Sequence, residues 1–541
     1  MAVISPGSRS APLALAFARQ KEIECFVVPD ERSAAYMALG MAQSTGNTVA
    51  LVCTSGTAAL NYAPAIAEAF YSYVPLLAFT ADRPPEWVDQ GDGQTVRQEG
   101  LYGKHVKGSW SLPVDTSHPD GQWHFFRILN EAANQTLSLP HGPVHVNVPL
   151  REPLYEQERG GSVEMKVIDR ISTLHGISNE NQKQLTKLVD KKKKVLIVPG
   201  QGIYSIKLQE QLASLVKDEK AVVVADIISN ISPSVGAIRH HDLFLGAVTD
   251  GQVESLAPDL LITFGRPIIS KQLKLFLRQC SPDVHMHIQP YGGTWDLFQS
   301  LTQLVCCDPE TFFEGVTLPE MDPDFMEKWQ KYDNLVVNEL KEHFKEEKFG
   351  ELLAVKKIME LTAKNTVLHF GNSMPVRYGN MINEHGAEAV YCNRGASGID
   401  GVNSTAVGHA LADPGDHMLI IGDVSFLYDR NAFWHNHLPD NLKIVILNNH
   451  GGGIFRMIDG PAKQPELERF FETVHDRDAR LVAEEFGFEY FSADNTEGLH
   501  QNIQKFANCR GRCIFEVFSN KADNTAILKE IKEKIVKEVK R

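Results

Sequence analysis

A carboxylate and an amide 26 residues apart carry the clearest chemical signal in the chain: Asp423, in Gly422-Asp423-Val424-Ser425-Phe426, and Asn449, in Asn448-Asn449. The pattern between them predicts a helix and then a strand. Both residues therefore fall in turns at one edge of a parallel sheet, the edge where open α/β sheets bind ligands. A carboxylate oxygen and a neutral amide oxygen are hard donors suited to Mg²⁺ that already carries a diphosphate. A nearby backbone carbonyl (Gly451 is the favoured candidate), two phosphate oxygens and a water bring the set to roughly an octahedron. The competing reading is an ordinary strand-to-helix turn followed by a polar strand end.

Glu31 is a second candidate, far away in sequence. It follows an apolar strand predicted over 23–28 and opens a helix lined by Ala34, Met37, Ala38 and Met41. In an apolar setting a carboxylic acid keeps its proton available near neutral pH. Acids are also favoured at helix N-termini by the dipole, and position alone favours that simpler reading. Four arginines form a third set: Arg9, Arg97, Arg377 and Arg394 all sit in predicted turns beside Gly, Ser or Asn. Arginine suits bidentate recognition of carboxylates. Any one of them alone reads as a surface or ion-pair residue, but several at one sheet edge suit substrates with multiple carboxylates.

The elements that must position these residues repeat one grammar of apolar strand, Gly or polar turn, and helix-period segment. That grammar predicts an α/β fold of three doubly wound parallel-sheet domains, over residues 1–160, 176–310 and 345–541. A polar connection is expected near 155–175, and 308–345 reads as a linker containing a helix. The last helix places Ile527, Ile531, Ile535 and Val539 at i,i+4 spacing. Met1 to Ile4 run straight into Ser5-Pro6-Gly7, so the sequence begins inside its first strand.

Composition narrows the class. A net charge of −14 disfavours nucleic acid, which calls for a basic face. The eight cysteines include no Cys-x-x-Cys, as expected of reduced thiols. No apolar run approaches the roughly 20 residues that span a bilayer. The reading is a soluble cytoplasmic protein with no membrane or nucleic-acid partner. His240-His241, His285-x-His287 and His435-x-His437 lack acidic or cysteine partners at useful spacing and read as surface or strand histidines. No Gly-x-Gly-x-x-Gly follows a strand, which removes the phosphate turn of a dehydrogenase.

Several segments together carry a resemblance. They are Ser5-Pro-Gly-Ser-Arg-Ser, Asp30-Glu-Arg-Ser, Thr54-Ser-Gly-Thr-Ala, Ala81-Asp-Arg-Pro-Pro-Glu, Asn393-Arg-Gly-Ala-Ser-Gly-Ile-Asp-Gly, Gly422-Asp-Val-Ser-Phe-Leu-Tyr-Asp and Asn448-Asn-His-Gly-Gly-Gly-Ile-Phe. The chain resembles thiamine diphosphate enzymes and, among them, the 2-succinyl-5-enolpyruvyl-6-hydroxy-3-cyclohexene-1-carboxylate synthases of menaquinone biosynthesis. The resemblance spans the first and third blocks and implies a two-substrate ligation. In it 2-oxoglutarate loses CO2 and the resulting succinyl carbanion adds to isochorismate, whose pyruvate is retained as the enolpyruvyl group.

The resemblance also implies roles. Glu31 would activate thiamine diphosphate through its aminopyrimidine ring. Asp423, Asn449 and Gly451 would hold Mg²⁺ or Mn²⁺, with Gly422, Val424 and Ser425 beside the diphosphate. Ile454 would lie under the coenzyme and Phe455 beside the substrate. Ser8, Arg9, Arg97, Lys271, Ser373, Arg377 and Arg394 would meet carboxylates, Arg377 also serving catalysis. The first domain would bind the pyrimidine and the third the diphosphate, with active sites between the subunits of a homodimer or homotetramer. Departures are Val424, where many relatives carry a second glycine, Gln272, where some carry a second basic residue, and the lack of a helix before Ser5. Alternatives are another 2-oxoacid enzyme of this scaffold, of acetolactate synthase or pyruvate oxidase type, or a non-catalytic cofactor-binding relative.

Overall fold

Three parallel sheets of six, five and six strands organise the chain in a computed structural model that describes residues 1–155, 165–170 and 176–541. The connection expected near 155–175 lies largely outside the described residues. The first sheet comprises Ala2–Ile4, Cys25–Val27, Val49–Cys53, Leu76–Asp82, Ser109–Ser111 and Val144–Pro149, in spatial order 2-1-3-4-6-5. The last comprises Thr366–Phe370, Ala389–Tyr391, Asp416–Gly422, Leu442–Asn448, Glu489–Ala493 and Cys513–Phe518, in the same order. The middle sheet, Val195–Pro199, Val222–Val223, Leu260–Phe264, Val284–Ile288 and Gln303–Val305, runs 5-4-3-1-2. Central strands such as Leu442–Asn448 are covered on both faces, which is why they read as continuous apolar runs.

Differences from the sequence reading fall at edges. The apolar run 221–225 forms a strand only over Val222–Val223, because Ala225 N–H bonds to Ile238 instead and Asp226 turns inward against His241. Edge strands Ser109–Ser111, Gln303–Val305 and Glu489–Ala493 are short or polar and left no apolar signature. Within 308–345 lie two helices, Pro309–Gly315 and Pro323–Lys345. The longer one packs along the C-terminal helix Lys521–Val539, whose Ile527, Ile531, Ile535 and Val539 are buried as their spacing requires. No helix among the described residues is long and apolar enough to cross a membrane.

The first and third domains meet tightly. Helix Glu31–Thr45 crosses helix Val402–Ala412 through two glycines. A Cβ on Gly40 would lie 2.0 Å from the Thr405 carbonyl oxygen, and one on Gly408 2.0 Å from that of Met37. One apolar cluster runs through both domains, from Val3 and Leu51 to Leu419 and Ile444. Polar clamps flank the crossing: Asn431 donates to Asp30 (2.7 Å), and Glu68 accepts from the backbone of Gly395 (2.7 Å) and Ala396 (2.6 Å). The loop that carries Arg394 is therefore held from the first domain.

Candidate active site

At the C-terminal ends of strands Asp416–Gly422 and Leu442–Asn448 opens a cavity of about 660 Å³. Gly422, Asp423, Val424, Ser425, Asn449, Gly451 and Ile454, all expected around a coenzyme, line it. Asp423 is buried, and its carboxylate accepts hydrogen bonds from the backbone N–H of Val424 (2.7 Å) and of Gly451 (2.9 Å). The second bond ties the two turns to each other. Gly451 has φ +148°, and a Cβ there would stand 2.5 Å from the Glu472 carbonyl oxygen, so this position requires glycine.

Asn449 shows how the site is poised. Its Nδ2 donates to Glu351 at 2.6 Å, while its buried Oδ1 has no hydrogen-bond partner. An unsatisfied amide oxygen in the interior is costly, and here it lines the same cavity as the Asp423 carboxylate. Carboxylate, amide oxygen and glycine backbone form an all-oxygen donor set, so the residues present fit Mg²⁺ or Mn²⁺ and not a soft ion. Burial, with help from the Asp423 charge, pushes the Glu351 carboxyl up to about 7. His475 Nε2 lies 3.3 Å from Asp423 Oδ2, the oxygen that accepts from Gly451.

One wall of the cavity is cationic. Arg377 and Arg394 both line it. Arg394 donates to Asn372 (2.9 Å), which in turn donates to the carbonyls of Asn393 and Gly398, fixing the loop. Arg377 donates to the carbonyl of Ser373 (2.6 Å), a residue held at φ +74°. Such a conformation costs a non-glycine residue about 1–3 kcal/mol, and it sets Ser373 on the cavity wall. Burial and then the charge of Arg394 lower the Arg377 pKa. Burial, and next the charge of Arg394, lower the pKa of Lys274 in the middle domain.

Glu31 lines a different cavity, of about 430 Å³, with Thr54, Ser55, Gly56 and Gln94–Val96. Burial raises its pKa. The floor is rigid: Gln98 accepts from Gly56 N–H (2.8 Å) and donates to Asn147 (2.9 Å), which donates to Asp82 (2.8 Å).

In one chain the expected residues thus form two groups. Ser373, Arg377, Arg394, Ile454 and Phe455 join the metal-type donors in the third-domain cavity. Glu31 does not, and the two cavities share no lining residue. Ser8 is exposed, Arg9 is paired with Glu152 (2.9 Å) and Arg97, 81% exposed, with Asp89 (2.8 Å). Lys271 is exposed at the start of helix Lys271–Gln279, and Lys274, one turn on, is the lysine nearer the arginines. The sequence reading missed Glu351, His475 and Lys274. Glu351 lies 98 residues from the asparagine it orients, with no local pattern to mark it.

The comparisons with known proteins agree with this geometry. Residues 1–101 match the family described as thiamine pyrophosphate enzyme, N-terminal TPP binding domain. Residues 173–370 match the middle domain of thiamine pyrophosphate enzymes, and 361–517 the C-terminal TPP binding domain. Fold, cavity and matches define the class, a thiamine pyrophosphate (thiamine diphosphate) enzyme. The chain is 43% identical to the 2-succinyl-5-enolpyruvyl-6-hydroxy-3-cyclohexene-1-carboxylate synthase of Cytophaga hutchinsonii over 540 residues, covering 98% of this chain and 96% of that one. It is 37% identical to the synthase of the same name from Flavobacterium johnsoniae (98% and 95% covered) and 38% identical to that from Desulfotalea psychrophila (95% and 95%). The chain belongs to this family of synthases.

Proposed function

We propose that the protein joins 2-oxoglutarate, with loss of CO2, to isochorismate, giving 2-succinyl-5-enolpyruvyl-6-hydroxy-3-cyclohexene-1-carboxylate for menaquinone biosynthesis. Thiamine diphosphate, when bound, supplies the electron sink for the carbanion left by decarboxylation. The observation that carries the reading is the one cavity that Asp423 and Asn449, with its unsatisfied oxygen, share with Arg377 and Arg394. Asp423, Asn449 and the Gly451 carbonyl hold the divalent ion and, through it, the diphosphate. Ile454 would pack against the coenzyme and Phe455 against the substrate in the cavity that both line. Arg377, Arg394 and Ser373, with Lys274 at the rim, take substrate carboxylates and keep them fixed while CO2 leaves.

Glu31 keeps a proton on its half-buried carboxyl for the coenzyme's pyrimidine ring. The first domain, residues 1–160, is thus the pyrimidine domain, and 345–541 the diphosphate domain. A working site needs both cavities, which open separately in one chain. The active unit is therefore a homodimer, or a tetramer built from it, in which Glu31 of one copy faces Asp423 of another. Ser8, Arg9 and Arg97 of the copy that supplies Glu31 would meet the substrate carboxylates from the first domain. The protein acts in the cytoplasm, without nucleic acid or membrane.

Pyruvate carries one carboxylate, so a cationic wall of this size disfavours an acetolactate synthase-type reaction. The test is to mix the purified chain with thiamine diphosphate, Mg²⁺, 2-oxoglutarate and isochorismate and to follow CO2 release and isochorismate loss. Turnover that requires both substrates is expected. Equal or better turnover with pyruvate overturns the reading.

A further inference from the structure

Three histidines converge inside the third domain, away from the coenzyme cavity. His369 lies on strand Thr366–Phe370, His417 on the adjacent strand Asp416–Gly422, and His409 on helix Val402–Ala412 that covers them. All are buried, and one ring nitrogen from each lies within 4.8 Å of the other two. His369 Nε2 and His417 Nδ1 are 3.2 Å apart. The two rings are hydrogen-bonded to each other, and two nitrogens bound to one tetrahedral Zn²⁺ at about 2.0–2.1 Å are separated by roughly 3.3 Å, so an ion that replaces the shared proton needs little change in their spacing.

His409 closes the group. Its ring centroid is 4.9 Å from that of His369 and 5.3 Å from that of His417, and neither of its buried ring nitrogens has a hydrogen-bond partner. An imidazole that only fills space is poorly chosen here, because each unsatisfied buried polar atom costs about 1–3 kcal/mol and a phenyl ring would pack without that cost. Turning the His409 ring breaks no hydrogen bond and draws a nitrogen toward the pair. Asp413 stands behind His417, with Oδ2 3.6 Å from Nε2. His417 Nε2 has no hydrogen-bond partner at that distance; a carboxylate that closes in to accept the outer N–H of a histidine fixes its tautomer and leaves the inner lone pair for a metal.

We propose that His369, His409 and His417 bind a Zn²⁺-class ion, with water as fourth ligand and Asp413 orienting His417. Imidazole nitrogens favour Zn²⁺ over Mg²⁺, whereas the oxygen donors Asp423 and Asn449 have the opposite preference, so one chain sorts two ions into two sites. The site pins the helix that crosses the first domain to the sheet beneath it.

The test titrates full-length protein, stripped by chelator and then saturated with thiamine diphosphate and Mg²⁺, with Co²⁺ and then Zn²⁺. We expect about one Co²⁺ per chain with the visible bands of a four-coordinate histidine site, displaced by Zn²⁺, and a higher Tm with Zn²⁺. His409→Phe, which keeps the ring and its packing, and His409→Gln should both lose that ion while Mg²⁺ binding persists. If wild type shows no such Co²⁺ spectrum, or His409→Phe binds Zn²⁺ as wild type does, the proposal fails. A His409→Phe chain with raised Tm and an unaltered metal content likewise shows a plain aromatic stack. Should the variants not fold, the wild-type Co²⁺ spectrum alone decides.

Discussion

Glu351 accepts a 2.6 Å hydrogen bond from the side-chain amide of Asn449, and that bond decides which end of the asparagine faces the cavity. Both side chains are buried, so neither can trade the bond for one to water. Glu351 is itself anchored, its N–H donating to Asn524 at 3.0 Å. Replacing the carboxyl with an apolar group frees the amide to rotate and present nitrogen to the ion. Glu351→Leu is expected to raise the half-saturating Mg²⁺ concentration by about 10–100-fold, the usual penalty for losing a group that orients a ligand. Glu351→Gln, which can still accept, should stay close to wild type. Calorimetric Mg²⁺ titration in the presence of thiamine diphosphate reads both.

Arg377 and Arg394 should act on substrate rather than coenzyme. Truncating either to Ala removes charge-assisted hydrogen bonds worth about 1.5–3 kcal/mol, or roughly a tenfold to hundredfold rise in KM for a carboxylate substrate. Coenzyme affinity should change little. Steady-state kinetics against each substrate, with coenzyme titrations alongside, separates the two. Equal loss of coenzyme binding would place these arginines at the diphosphate instead.

Gly408→Ala tests the helix crossing. Its Cβ would stand 2.0 Å from the Met37 carbonyl oxygen, which belongs to a helix and cannot turn away. The expected cost is about 1–3 kcal/mol or more, visible as a lower Tm and a lower denaturation midpoint. Gly460→Ala, where a new Cβ meets nothing, serves as the control.

Asp429 should make stability depend on pH. It is wholly buried, accepts hydrogen bonds from Ser404 N–H (2.7 Å) and Oγ (2.8 Å), and burial pushes its carboxyl up to about 7. Its folded pKa lies above the unfolded value of about 3.9. The protonated form therefore favours folding fully below about pH 4, and that contribution is lost as pH rises through about 7. Asp429→Asn copies the protonated shape, with its carbonyl toward Ser404 N–H and its amide toward Oγ. The variant should be more stable than wild type at pH 8 and lose about one proton's worth of slope between pH 4 and 7 in urea melts.

How much of this was legible in the sequence follows from range. Asp423 and Asn449 stood out because each closes an apolar central strand and the spacing between them is set by one helix and one strand. Helix Glu31–Thr45 is bounded by local signals, an Asp30 cap that accepts from Ser33 N–H and a left-handed Gly46. Glu351, His475 and the three-histidine cluster were invisible because their partners lie on other elements. His369 and His417 are brought together by strand pairing, 48 residues apart. Arg9 and Arg97 looked equivalent to Arg377 and Arg394 in their glycine turns. The fold separates them, giving the first pair to Glu152 and Asp89 and the second to the cavity. Lys271 against Lys274 is a matter of helix phase, which spacing alone left open.

Subunit complementation measures directly whether one coenzyme is gripped by Glu31 from one chain and by Asp423 from another. Glu31→Gln and Asp423→Ala chains, each inactive alone, are co-expressed with different tags, and the mixed dimer is isolated by both. One of its two sites then has both native groups, so about half of wild-type turnover is predicted. A mixed dimer as silent as its parents, although its wild-type counterpart prepared the same way is active, would contradict the shared site.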